Sequence, residues 1–164
     1  MIDLRGIIVP VITPFDGQEN FNEAEMRVQI NRQIEAGIHG IFCLGTNGEF
    51  YAMSESEKER VIAVCAETTD HRRPVFAGTG CASTLETIRL SRRAKELGAD
   101  VLSVVCPYFA LASQDDIYRH YAEIASAVDM PVVLYNIPAR TGNAIAPSTL
   151  GRLTGIPNIV AIKD

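Results

Sequence analysis

Six short apolar runs recur along the chain at intervals of about 30 residues, and this spacing constrains the fold more than any other feature. The runs cover residues 7–12, 40–44, 75–78, 101–105, 132–135 and 159–163. Each run is continuous instead of alternating between apolar and polar residues. Continuous runs are typical of parallel strands that are buried on both faces. The pattern therefore predicts a parallel sheet covered by helices.

The segments between the runs are amphipathic, and their ends carry helix signals. Three pairs have the spacing of a capping box at a helix start: Asn22 with Glu25, Ser54 with Glu57, and Ser83 with Glu86. Pro147 suits a first helical turn, and Gly37 and Gly98 stand where a left-handed residue would end a helix. Strand and helix thus alternate, with six strands and five intervening helices. No linker interrupts this order, so residues 1–164 are predicted to form one domain.

Two architectures accept strict alternation: a doubly wound open sheet and a (β/α)8 barrel. A complete barrel needs about 250 residues. With 164 residues, the chain would supply about the first six strands and five helices of an incomplete barrel. In both architectures, chemistry gathers at the carboxyl ends of the strands.

Composition and charge narrow the classes of partner. The net charge is -5 and both signs are mixed along the chain, so no basic patch marks a nucleic-acid or anionic-membrane surface. No apolar run is long enough to span a bilayer and the N-terminus does not read as a secretion signal, which predicts a cytoplasmic location. The four cysteines and three histidines lack ligand spacing, so no metal site is expected and the cysteines are expected to be buried thiols.

Lys163 stands at the end of the last apolar run, and Tyr135 ends the run before it. A lysine held desolvated at a strand end titrates at a lower pKa, so that its free amine can attack a carbonyl. We expect the Tyr135 hydroxyl to come within hydrogen-bond reach of this amine and of a bound carbonyl.

Two loops offer anion-binding groups. The turn at residues 45–50 is rich in small residues, and its backbone N–H groups, with the Thr46 hydroxyl and the Asn47 amide, suit a carboxylate. It lacks the lysine of a P-loop, which disfavours a nucleotide phosphate. Arg140 is either a surface residue or a planar fork for a second carboxylate.

Three segments together, residues 45–49, 135–142 and 162–164, resemble the dihydrodipicolinate synthase and N-acetylneuraminate lyase family of class I aldolases. The resemblance covers essentially the whole chain. It implies a (β/α)8 barrel with extra C-terminal helices, of which this chain matches about the first half. It also implies a homo-oligomer, usually a tetramer of tight dimers.

By resemblance, Lys163 forms an imine with a 2-oxo acid such as pyruvate, and Tyr135 transfers protons. Thr46 adds its hydroxyl to that relay, and the N–H groups of Thr46 and Asn47 bind the pyruvate carboxylate. Arg140 takes the position that holds the carboxylate of an aldehyde partner. No metal or organic cofactor is implied.

Three residues depart from the synthase pattern: Asn47, Phe109 and Asp164. Asn47 and Asp164 resemble relatives that cleave 2-keto-3-deoxy sugar acids, whereas Arg140 resembles the synthases. We therefore rank a retro-aldol reaction on such an acid slightly above condensation with aspartate semialdehyde. The alternatives are a catalytically inactive half-barrel acting as an assembly or regulatory module, and an open-sheet nucleotide binder.

Overall fold

A computed structural model describes residues 3–164, which form two compact units. The first unit runs to Gly78 and includes Arg93–Asp100. The second unit comprises Thr79–Arg92 and Val101–Asp164. Strands and helices alternate along the chain, as the spacing of the apolar runs predicted.

The first unit contains three parallel strands, of which β1 pairs with β2 and β2 with β3. These are β1 (Ile8–Pro10), β2 (Gly40–Cys43) and β3 (Val75–Gly78), with helices α1 (Glu23–Glu35) and α2 (Glu55–Thr69). Helices α1 and α2 pack against each other.

The second unit repeats this organisation. Its strands are β4 (Val101–Val105), β5 (Val132–Tyr135) and β6 (Ile159–Lys163), and its helices are α4 (Gln114–Ala127), α5 (Pro138–Thr141) and α6 (Pro147–Leu153), together with most of α3 (Thr84–Glu96). Strand β4 pairs with β5, and β5 pairs with β6, all in parallel. Four of the predicted runs coincide with β3, β4, β5 and β6. The loop predicted after β5 contains one additional short helix, α5, which Gly142 ends in a left-handed conformation (φ 75°).

The predicted helix starts are confirmed by side-chain hydrogen bonds. Ser54 forms a complete capping box with Glu57 at the start of α2, and the Asn22 side chain accepts a hydrogen bond from the Glu25 N–H at the start of α1. A reciprocal pair of bonds also joins Ser83 to Glu86. These bonds satisfy N–H groups that the first turn of a helix leaves without a partner.

Burial differs between the strands β2 to β5 and the strands β1 and β6. Every residue of β2 to β5 is buried, as the continuous runs predicted. The same prediction is wrong for β1 and β6, whose residues are half-buried or exposed, with Val160 of β6 at 41% exposure. Continuous apolar sequence predicts two covered faces, but within residues 3–164 the outer residues of these two strands have no apolar layer over them.

The structure also tests what the sequence predicted for the cysteines and for membrane-spanning segments. Cys43, Cys65 and Cys106 are buried free thiols, whereas Cys81 is half-buried. Burial raises the pKa of the Cys106 thiol, which keeps it protonated. Within residues 3–164, no helix combines the length and the apolar character needed to cross a bilayer.

Candidate active site

Lys163 and Tyr135 lie side by side at the carboxyl ends of β6 and β5. The two residues are register partners in the parallel pairing of these strands. The Lys163 Nζ lies 3.7 Å from the centroid of the Tyr135 ring. Tyr135 is buried and Lys163 is half-buried, so the amine rests on an aromatic face instead of extending into water. Such a contact restrains the lysine side chain and holds its nitrogen beside the phenol.

Asn136 follows Tyr135 and links the ends of both strands. Its backbone N–H donates to the Lys163 carbonyl at 2.8 Å, and its Nδ2 donates to the Asp164 carboxylate at 2.8 Å. Its Oδ1 accepts from the Ile145 N–H at 3.0 Å. Asn136 was not among the site residues predicted from the sequence. The available signal was an asparagine directly after a strand, where its side chain often bonds to nearby backbone.

Arg140 lies in the short helix α5 and is exposed. Pro138 begins this helix, which ends at Gly142, whose N–H donates to the Pro138 carbonyl. Within residues 3–164, no carboxylate forms an ion pair with the Arg140 guanidinium. This side chain can therefore bind an incoming carboxylate without breaking an existing pair.

The small-residue turn lies in the first unit. After β2 the backbone enters the left-handed region at Leu44 (φ 57°), forms a 3-10 turn over Thr46–Gly48, and is left-handed again at Glu49 (φ 57°). Left-handed backbone is costly for a buried leucine, and such strain is found at functional loops. The Thr13 hydroxyl fixes the turn by donating to the Gly48 carbonyl at 2.7 Å.

Two backbone hydrogen bonds close this turn. The N–H of Gly48 donates to the Gly45 carbonyl and the N–H of Glu49 donates to the Thr46 carbonyl. The N–H groups of Thr46 and Asn47 are those of the first two residues of the turn. Both groups belong to the start of a helical turn, where N–H groups bind anions.

Tyr108 and Phe109 belong to the loop after β4. Burial raises the pKa of the half-buried Tyr108, and the nearby Cys81 and Glu86 add to this effect. Phe109 is fully exposed and has a left-handed backbone (φ 79°). A phenyl ring cannot carry a proton, so Phe109 takes no part in acid–base chemistry.

Comparison with known proteins identifies the family to which this chain belongs. The sequence model of the Dihydrodipicolinate synthetase family matches residues 3–164. The chain superposes with a TM-score of 0.97 and 40% identity on the dihydrodipicolinate synthase of Acinetobacter baumannii complexed with pyruvate, covering 99% of this chain and 56% of that one. The fold is thus that of an incomplete (β/α)8 barrel.

Curated relatives carry the same assignment. Two proteins named 4-hydroxy-tetrahydrodipicolinate synthase are similar over 98% of the chain and 55% of their own length: that of Syntrophobacter fumaroxidans is 46% identical over 160 residues, and that of Pelobacter propionicus is 47% identical over 161 residues. The chain belongs to the dihydrodipicolinate synthase family. It spans about half the length of the curated relatives it matches.

Proposed function

We propose that Lys163 forms a Schiff base with pyruvate and that the protein acts as an aldolase of the 4-hydroxy-tetrahydrodipicolinate synthase type, joining pyruvate to aspartate semialdehyde. The observation that carries this proposal is the position of the Lys163 Nζ, 3.7 Å from the centre of the Tyr135 ring. The names of the relatives at 41–47% identity support the choice of aldehyde.

In the proposed reaction, the Lys163 amine adds to the keto carbon of pyruvate and gives a carbinolamine. The Tyr135 hydroxyl donates a proton to the departing hydroxyl, which leaves as water, and a protonated imine forms. The imine withdraws electrons from the neighbouring carbon, which loses a proton to give an enamine. The enamine carbon then attacks the aldehyde carbon, and the aldehyde oxygen takes up a proton.

Orientation of pyruvate depends on its carboxylate. On the family resemblance alone, we assign its binding to the backbone N–H groups of Thr46 and Asn47, with the Thr46 hydroxyl contributing to proton transfer. Arg140 would bind the carboxylate of the aldehyde through its planar guanidinium. Fixing both reactants in this way lowers the barrier by several kcal/mol, because reactive geometry no longer has to be found by chance. No step requires a metal or an organic cofactor.

A second candidate is the cleavage of a 2-keto-3-deoxy sugar acid through the same imine, run in the retro-aldol direction. Asn47 and Asp164 favour it, because the synthase pattern has other residues at both positions. The similar curated proteins give no support to our initial ranking of this reaction above the synthase reaction. Assembly as a homo-oligomer stays a prediction of the resemblance, and a cytoplasmic location stays a prediction from the sequence.

Reductive trapping tests the Schiff base directly. The chain has three lysines, Lys58, Lys95 and Lys163, so an adduct is easily assigned. Treatment with pyruvate and borohydride should add one reduced pyruvate, detected by intact mass. Lys163→Arg should abolish the adduct, whereas the matched variant Lys58→Arg should retain it. Failure of the unaltered protein to gain mass would favour the inactive module.

The two aldehyde assignments differ in what happens to pyruvate. The synthase reaction consumes pyruvate when aspartate semialdehyde is added. The retro-aldol reaction releases pyruvate from a 2-keto-3-deoxy acid. Following pyruvate with each compound separates the two, and Arg140→Gln should weaken use of aspartate semialdehyde while leaving trapping by pyruvate in place.

A further inference from the structure

Pairing between β5 and β6 is irregular at its start. Val132 pairs with Ile159, but the next residue, Val133, pairs with Ala161. Val160 is therefore an extra residue on β6, as in a β-bulge. Because of this insertion, the register at the start of β6 does not by itself place Lys163 opposite Tyr135.

Packing also specifies the register of β6 weakly. Its residues alternate only between half-buried and exposed, with Val160 at 41% and Ile162 at 36% exposure. Strand register is strongly set where one face is fully buried and the other is in water. Within residues 3–164 neither face of β6 is fully buried, so hydrogen bonds at its carboxyl end contribute to setting the register.

Asn136 supplies such hydrogen bonds at the carboxyl end of the pairing. Its backbone N–H binds the carbonyl of Lys163, and its side-chain Nδ2 binds the carboxylate of Asp164. The Ile145 N–H in turn donates to Asn136 Oδ1, which fixes the amide so that Nδ2 faces Asp164. One side chain thus ties the end of β6 to β5 and to the segment that precedes α6.

We propose that Asn136 is a positioning residue that holds Lys163 in register with Tyr135 through its amide bond to Asp164. This inference rests on the proposed Schiff-base function. A slip of one residue would move the end of β6 by about 3.3 Å and turn the Lys163 side chain to the opposite face of the sheet. The amine would then lose its contact with the Tyr135 ring and the hydroxyl that this ring carries.

Exchanging the amide and the carboxylate between positions 136 and 164 tests the hydrogen bond between these two side chains. Asn136→Asp sets a carboxylate against Asp164 but keeps an acceptor for the Ile145 N–H. Combining it with Asp164→Asn restores a donor and an acceptor across the pair. Asn31→Ala is the matched control, because the Asn31 side chain also makes two hydrogen bonds and is half-buried, but lies in the first unit.

The first measurement does not depend on catalysis. A side chain lying on an aromatic ring has its proton NMR signals shifted upfield, so the Lys163 side-chain signals should be shifted in the unaltered protein. We expect Asn136→Asp to remove this shift, the double variant to restore it, and Asn31→Ala to retain it. Persistence of the shift in Asn136→Asp, or its absence in a folded double variant, would overturn the inference whether or not pyruvate binds.

The second measurement is the rate of pyruvate trapping by borohydride. Misplacement of the amine should slow trapping on the order of 100-fold in Asn136→Asp, with recovery in the double variant. Equal slowing in Asn31→Ala would show a general loss of stability and would count against positioning. If the unaltered protein traps no pyruvate, the proposed function fails, while the NMR comparison still decides the role of Asn136.

Discussion

His120 makes the stability of this protein depend on pH in a way that can be worked out from its surroundings. The ring lies in α4 and is only 5% exposed. Its Nδ1 is 2.8 Å from the Thr84 hydroxyl, and within residues 3–164 its Nε2 has no hydrogen-bond partner. Burial disfavours the charged imidazolium and lowers the pKa of His120 from 6.5 to about 4.

The sign of the effect follows from proton uptake. Between pH 6.5 and about 4 the unfolded chain binds a proton at His120 and the folded chain does not. Lowering the pH through this window therefore favours unfolding. From these two pKa values, the free energy of unfolding should fall by about 2 kcal/mol between pH 7 and pH 5, and by about 3 kcal/mol once the folded form is also protonated.

Urea unfolding followed by circular dichroism, at constant ionic strength from pH 7 to pH 4, measures this loss. His120→Asn retains a group that can bond to Thr84 but cannot titrate, so its stability should decline less steeply over this range by the amount above. His71→Asn is the control, because His71 is exposed and asparagine accepts its left-handed backbone (φ 55°). An equal pH dependence in the protein and in His120→Asn would refute the reasoning.

Three further substitutions test other parts of the account. Gly78→Ala would place a Cβ 2.1 Å from the Leu44 carbonyl oxygen, so the free energy of unfolding in urea should fall by about 3 kcal/mol or more. The control is Gly17→Ala, where a Cβ would have nothing within 4 Å and the free energy of unfolding should change by less than about 0.5 kcal/mol. Ser54→Ala removes the cap of α2 and should cost about 1 kcal/mol in the same assay. Tyr135→Phe keeps the ring beneath the lysine but removes the hydroxyl, so kcat/KM should fall by the equivalent of about 2 to 5 kcal/mol while pyruvate still binds.

Much of the fold could be predicted because local signals and burial agree along most of the chain. The apolar runs at β2 to β5 are buried on both sides, which is the condition that produces a continuous run. The helix starts at Asn22 and Ser54 depend on residues that are three positions apart, and this spacing is visible in the sequence. Exposure of Val160 could not be predicted, since it depends on what covers the strand and not on the strand itself.

Some features of the candidate site could be predicted from the sequence and others could not. Lys163 and Tyr135 end neighbouring strands in a parallel order, so their adjacency follows from the strand pattern. Nothing in the sequence predicted the left-handed backbone at Leu44, because leucine disfavours this conformation and tertiary contacts impose it. The role of Asn136 could not be predicted either, since its partners Ile145 and Asp164 stand 9 and 28 residues further along the chain and become its neighbours only on folding.

The central claim is that the Lys163 amine is the carbonyl-binding group and that the Tyr135 phenol stands beside it. A crystal structure of the protein after treatment with pyruvate and borohydride tests this most directly. We expect continuous electron density from the Lys163 Nζ to the former keto carbon, with the Tyr135 hydroxyl within hydrogen-bond reach of the adduct. An unmodified Lys163, or an adduct on Lys58 or Lys95, would contradict it.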